Sequence, residues 1–301
     1  MTTADAFAQA MRALPPLPAR AIIINCSTRV FTTLALMSAL RHAGMPVLVI
    51  DCASTDDSLS WLRGLQRAHT FDLLEAPLRP HGATLDRIFL ASRDESLLLV
   101  DSDLELRNGD LVPELRAAAS ADECYGGGFL HSDPTCSIGP ATARERGRYA
   151  DRMWIPLVWM KTAPVRQALQ QGHSFLHARD YFEFPWSRAL SRWIYQRYRL
   201  PLLRRISLAS LRDARQRLHG ERAAFVDFDT GARMHAALQA QGLRLADLGE
   251  PHWSQSVHHY HGITRATLQA GKPNATDPRD PRAEVDSRLR TLYGIDPPGD
   301  A

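Results

Sequence analysis

The first hundred residues alternate short, uniformly apolar runs with longer stretches in which apolar positions recur every three to four residues. Residues 21–25 (AIIIN), 46–50 (PVLVI), 71–74 and 97–100 (LLLV) are too short for helices. Such unbroken apolar runs predict strands buried on both faces. Between them, residues 3–14 put Phe7, Met11 and Leu14 on one helical face, with Pro15-Pro16 as the stop. Helical spacing returns over 31–42 (Leu34, Met37, Leu40, then Gly44), 58–68 (Leu59, Leu62, Leu65) and 84–92 (Leu85, Ile88, Phe89). Strands that alternate with helices predict an α/β fold, with a mostly parallel central sheet and helices on both faces.

The second half is less regular. Residues 126–129 and 154–160 predict strands or strand ends around an acceptor region, and 232–241 predicts a helix after Asp227-Phe228-Asp229. Beyond Arg265 the chain turns polar and proline-rich, which predicts a loosely ordered tail.

Ligands of such sheets bind beyond the carboxyl ends of the strands. Those ends carry Asn25-Cys26-Ser27-Thr28-Arg29, Asp51 and Asp101-Ser102-Asp103, so polar residues cluster where this fold places a site. Two carboxylates one residue apart at the end of a buried strand suit a hard divalent cation, Mn²⁺ or Mg²⁺, which takes oxygen ligands and shares them with substrate phosphates.

With these segments in order, the chain resembles the glycosyltransferases of the GT-A fold, especially the inverting family 2, over about residues 20–265. The carriers are Ile22–Arg29, the Val49-Ile50-Asp51-Cys52-Ala53-Ser54-Thr55-Asp56-Asp57 segment, His81-Gly82 through Asp86, Leu98–Asp103, Val226-Asp227-Phe228-Asp229 and His259-Tyr260-His261-Gly262-Ile263-Thr264. The resemblance implies a nucleotide-diphospho-sugar transferase fold that moves a sugar from a UDP- or GDP-sugar to a carbohydrate or lipid-linked acceptor. It implies that Ser27 and Thr28 line the nucleoside pocket with Arg29 near the phosphates, and that Asp51 accepts hydrogen bonds from base or ribose. Gly82 and Asp86 are implied to bind substrate on the donor side. Asp101 faces ribose or metal, Asp103 ligates the metal, and His259 is the third ligand. Asp227 is then the general base that deprotonates the acceptor hydroxyl. The implied organisation is an N-terminal arm (1–20), a single domain (21–265) and a polar tail (266–301). The domain divides into a nucleotide-sugar half (21–140) and an acceptor half (141–265), the latter with an insertion at 176–222.

Two departures bear on the base. Val226 stands where relatives carry glutamate, and Asp229 competes with Asp227, because alternate residues of an extended segment share a side. Asp229 is also placed to cap the helix that follows. A zinc site is disfavoured among His252, His258, His259 and His261, since no cysteine or HExxH spacing accompanies them.

Composition narrows the surroundings. The 301 residues carry a net charge of +3, almost all of the basic side as arginine, with no nucleic-acid-binding signature. Residues 186–218 interleave arginines with Trp193, Tyr195 and Tyr198, a basic amphipathic surface suited to peripheral contact with anionic lipid, interrupted by Pro201. Four scattered cysteines, without a secretory leader or an apolar span, point to the cytoplasm, at most peripheral to the inner face of the membrane. A sugar-phosphate nucleotidyltransferase is the nearest rival, but residues 25–29 lack the glycines its triphosphate loop needs. A catalytically inactive binding relative is the other. A dinucleotide-binding dehydrogenase is disfavoured by the absence of GxGxxG after the first strand.

Overall fold

The computed structural model describes residues 3–131, 146–181, 224–260, 263 and 281–297. Its strands are β1 (Ala19–Asn25), β2 (Val47–Asp51), β3 (Asp72–Glu75), β4 (Ser96–Asp101), β5 (Leu104–Leu106), β6 (Cys124–Gly128) and β7 (Leu130–His131). They continue with β8 (Arg146–Tyr149), β9 (Arg152–Met153), β10 (Leu157–Lys161), β11 (Ala178–Tyr181), β12 (Ala224–Phe228), β13 (Arg244–Asp247) and β14 (Val257–His259). The helices are α1 (Thr3–Ala13), α2 (Arg29–His42), α3 (Ser58–Leu65), α4 (His81–Ala91), α5 (Leu111–Ala118) and α6 (Thr162–Gln170), then α7 (Ala232–Ala240), α8 (Glu250–Ser256) and α9 (Pro281–Arg288).

Seven strands form one sheet in the order β3–β2–β1–β4–β10–β6–β13. The first four are parallel neighbours, as the alternating pattern requires. β10 enters antiparallel between β4 and β6. Successive residues of the strands face opposite layers. Ile22, Leu48, Leu97 and Leu99 pack under α1, α4, α6 and α7, whereas Ile23, Val49, Leu98 and Val100 pack under α2, α3 and α5. Complete burial of each such side chain contributes about 1.5–3 kcal/mol, which explains why these strands read as unbroken apolar runs. The glycine run belongs to β6, in the main sheet: a methyl group on Gly127 would stand 2.4 Å from the Leu115 carbonyl oxygen of α5.

Two smaller sheets complete the site. β11–β12–β8 form a three-stranded sheet, and β14 pairs with β5 just beyond Asp103.

The tail departs from expectation. From Pro281 it is helical through α9 and a single π-helical turn (Leu289–Tyr293). Val285 and Leu289 are fully buried there against Val30, Leu34 and Met37 of α2. Arg288 on this helix also donates at 2.7 Å to Glu105 of β5, whose side chain is 1% exposed, with Arg107 at 3.5 Å from its other oxygen. Breaking a buried pair from one side costs about 3–5 kcal/mol, and the retained Arg107 softens that loss. Arg288→Met is therefore expected to cost roughly 2–3 kcal/mol in urea denaturation. Glu105→Gln added to it should recover part of the loss, and a double variant less stable than Arg288→Met would refute the pairing.

The expected basic amphipathic segment, 186–218, and His261 lie outside the described residues. Among the described residues no helix is long and apolar enough to cross a membrane.

Candidate active site

The parallel strands β1, β2 and β4 deliver their polar ends to one edge of the sheet. Beyond β1 and β2, Ser27 (φ 52°), Ala53 (φ 52°) and Asp57 (φ 58°) adopt left-handed backbone. Residues with a Cβ pay about 1–3 kcal/mol for such conformations, and they gather at functional sites. Here two loops hold each other in place. The Ser27 amide donates to Ser54 Oγ at 2.8 Å, and the Thr55 amide donates to Ser27 Oγ at 2.9 Å. The Arg29 amide donates to Asp56 at 2.9 Å, fixing the start of α2.

Asn25 is the hub beneath them. Its amide donates to Asp51 at 2.6 Å and to Ser54 Oγ at 2.9 Å, while its carbonyl oxygen accepts from Thr28 and Thr32 hydroxyls at 3.0 and 2.7 Å. Asp51 is 2% exposed and also accepts from the Ser54 amide. Thr28 is buried too, with its hydroxyl 3.1 Å from Ser102 Oγ. Of the residues expected to line the donor pocket, Thr28 and Asp51 are buried, and Ser27 and Arg29 are half-buried. Cys26 and Cys52 lie beside them as free, buried thiols. Burial, the neighbouring thiol and Asp51 push Cys52 up to about 12, which excludes it as a nucleophile.

The third strand end brings two carboxylates and an imidazole together. Ligand atoms of Asp101, Asp103 and His259 all lie within 4.8 Å of one another. The β5–β14 pairing sets His259 opposite Leu104, so its Nε2 reaches 3.1 Å from Asp103 Oδ1 and 4.0 Å from Asp101 Oδ2. Trp154 stands edge-on to the His259 ring at 5.1 Å and walls it in. Desolvation raises the pKa of Asp101, opposed by the His81 and His259 imidazoles and reinforced by the Asp103 charge. Burial of Asp103 also disfavours its charge, but the His259 hydrogen bond and charge, with the Ile263 amide, outweigh it and hold its carboxyl below the ordinary value. A half-exposed carboxylate reluctant to ionise, an ionised one behind it and a recessed imidazole make a donor set that fits a hard divalent cation.

Gly82 and Asp86, also expected at the site, both meet the chain at residues 174–176. Gly82 lets α4 meet the chain at Phe175: a Cβ there would fall 2.5 Å from the Phe175 carbonyl oxygen. Asp86 accepts from Ser174 Oγ at 2.5 Å and from the Phe175 amide at 2.8 Å. Both therefore clamp the 174–176 segment to α4. The segment Asp227-Phe228-Asp229 also divides. Asp227, on β12, is 3% exposed and lies 2.6 Å from His177 Nε2. Asp229, past the strand end, is ion-paired with Arg152, and its Oδ1 accepts from the Thr230 amide at 2.8 Å. It makes no side-chain cap on α7, whose N-cap is Gly231.

Two further histidines complete the arrangement. His177 is one. His81, the first residue of α4, approaches Asp101 Oδ1 to 4.0 Å. Chain-remote packing brings them here; His81 lies in a segment that the resemblance quotes without a role for the imidazole, and nothing in the sequence around His177 signals one.

Strand order, the reversed β10 and carboxylates leaving β4 together decide the architecture. The fold is GT-A-like. No protein-family model matches the chain, and no curated protein matches it in sequence. Solved structures do. A mannosyltransferase from Pyrobaculum calidifontis, in complex with GDP-Man and Mn²⁺, is 15% identical with a TM-score of 0.40, over 56% of this chain and 54% of that one. S. aureus TarS 1–349, in complex with UDP-GlcNAc, is 17% identical with a TM-score of 0.33, over 50% of this chain and 46% of that one. A 4-diphosphocytidyl-2C-methyl-D-erythritol synthase from Anaerococcus prevotii is 9% identical with a TM-score of 0.36, over 51% of this chain and 74% of that one. The chain thus spans about half the length of the first two. Overlaps this partial, at such identities, carry no activity across to the GT-A-like chain.

Proposed function

We propose that this protein is a metal-dependent glycosyltransferase that moves a sugar from a nucleoside-diphosphate donor, a UDP- or GDP-sugar, to a carbohydrate or lipid-linked hydroxyl with inversion. The observation that carries this reading is the Asp101–Asp103–His259 cluster at the end of β4, beside the strained loops that close β1 and β2. Asp101, Asp103 and His259 would hold Mn²⁺ or Mg²⁺. When bound, such a cation offsets the negative charge that grows on a departing diphosphate. Ser27 and Arg29 contact the nucleotide, while Thr28 and Asp51 keep the loop that carries them in its left-handed shape. Asp227 and Asp229 belong to the acceptor side, where a hydroxyl must lose its proton as it attacks.

Thermal denaturation in the presence of UDP- and GDP-sugars, with and without Mn²⁺, tests the reading. A ligand at one hundred times its Kd adds about 2.7 kcal/mol to stability, a Tm shift of roughly 5 °C for a chain of this size. The expected result is a shift of that order for one nucleotide sugar, dependent on the metal. Equal, small shifts for all of them would refute a nucleotide-sugar site.

A further inference from the structure

We infer that His177 is the group that accepts the acceptor's proton, with Asp227 as its positioning residue. The inference rests on the transferase reading above and assigns a catalytic residue within it. Its starting point is a difference in access. The Asp227 side chain is 5% exposed and lies behind the imidazole, whose own exposure is 36%. The carboxylate is nearly enclosed, and the imidazole is the more accessible of the two groups.

The pair is rigidly mounted. Asp227 occupies the central strand of the small sheet: β11 pairs with it on one side (Arg179 opposite Asp227) and β8 on the other. The Ala150 amide adds a 2.9 Å bond to the Asp227 carbonyl. His177 immediately precedes β11, so the same pairing that fixes Asp227 fixes the ring's backbone. From the other side, α4 holds the segment that leads into His177. Gly82 abuts Phe175, Asp86 takes the Ser174 hydroxyl and the Phe175 amide, and the Gly231 amide donates to the Phe175 carbonyl at 3.0 Å. Gly82 follows His81, which faces Asp101. A short run of contacts therefore joins the proposed cation site to His177, and it explains why Gly82 and Asp86 are spent on packing.

The chemistry follows from the 2.6 Å contact between His177 Nε2 and Asp227 Oδ1. In the proposed arrangement Asp227 is ionised and only accepts hydrogen bonds, so Nε2 carries the hydrogen and the basic lone pair sits on Nδ1. As the acceptor oxygen bonds to the anomeric carbon, its proton passes to Nδ1. The bond from that carbon to the phosphate oxygen breaks, and its electron pair leaves with the nucleoside diphosphate. Asp227 stabilises the imidazolium, which afterwards returns its proton to solvent.

The test follows release of UDP or GDP from the nucleotide sugar that the wild-type protein binds with Mn²⁺, water serving as acceptor. His177→Gly is expected to lower release about 10²–10⁴-fold at unchanged nucleotide affinity. Added imidazole should restore much of it with saturation, because the small base fills the vacated space. His177→Gln, which retains a hydrogen-bond partner for Asp227 but has no basic nitrogen, should lose as much without rescue. Asp227→Asn should fall comparably and be indifferent to imidazole. Release within a few-fold of wild type in His177→Gln overturns the assignment. So does loss in His177→Gly that imidazole leaves unchanged. In both cases intact donor binding leaves the transferase reading standing, whereas a wild-type protein that binds no nucleotide sugar sinks that reading itself.

Discussion

Replacing Asp103 with alanine is expected to remove the Mn²⁺-dependent part of nucleoside diphosphate affinity and to leave the metal-free part in place. Asp103 is the ionised member of the cluster, held so by His259 and the Ile263 amide, and it is the recessed one, 7% exposed at the side chain. Asp101 alone, with a raised pKa and greater exposure, offers a weaker hold. Removal of one of three ligands should lower metal-dependent affinity by at least the 10–100-fold typical of losing even an outer partner of a metal ligand. Isothermal titration with UDP or GDP, with and without Mn²⁺, reads both parts. Unchanged metal-dependent affinity would move the cation site away from β4.

The larger effect on rate is expected at Asp227. Asp227→Asn keeps the shape of the side chain and loses its charge. The imidazole of His177 then has no anion behind it, and transfer should fall about 10²–10⁴-fold. Nucleotide and metal affinity should stay near wild type, because Asp227 lies on the small sheet and not at the ends of β1, β2 or β4. Asp229→Asn should cost clearly less, since that carboxylate is already ion-paired with Arg152 and bound by its own neighbour's amide. If the order of the two variants is reversed, Asp229 takes the acceptor role. If both lose donor binding, the segment belongs to the donor site.

The parallel half of the fold was legible because its strands are buried on both faces. Local composition alone then marks them, as at Ile22–Ile24 and Leu97–Val100. Asp101 and Asp103 were legible for the same reason: charge directly after such a run is conspicuous. What was hidden depended on distant partners. α9 and the π-helical turn after it bury only Val285 and Leu289, four residues apart, and so little apolar pattern is swamped by the polar residues around it. His81 and His177 carry no spacing that points to a ligand or a base. Gly82 and Asp86 carried a resemblance to a donor segment, but backbone packing against Phe175 occupies both. The spacing of Asp227 and Asp229 placed them on one side of an extended segment, and the strand ended between them.

The placement of β10 has a consequence for how the chain is made. β4 ends at Asp101 and its partner on that side begins only at Leu157. While the chain is being synthesised, the edge formed by Leu97–Val100 therefore waits for about sixty more residues, several seconds at ~5–20 residues per second. β6, made in that interval, cannot cover it, because both of its own neighbours, β10 and β13, come later still. An apolar strand with an open edge is a template for pairing with another chain. The nascent protein thus passes through a stage in which a strongly apolar strand of its sheet has an open edge, and protection by chaperones matters most before Lys161 has left the ribosome.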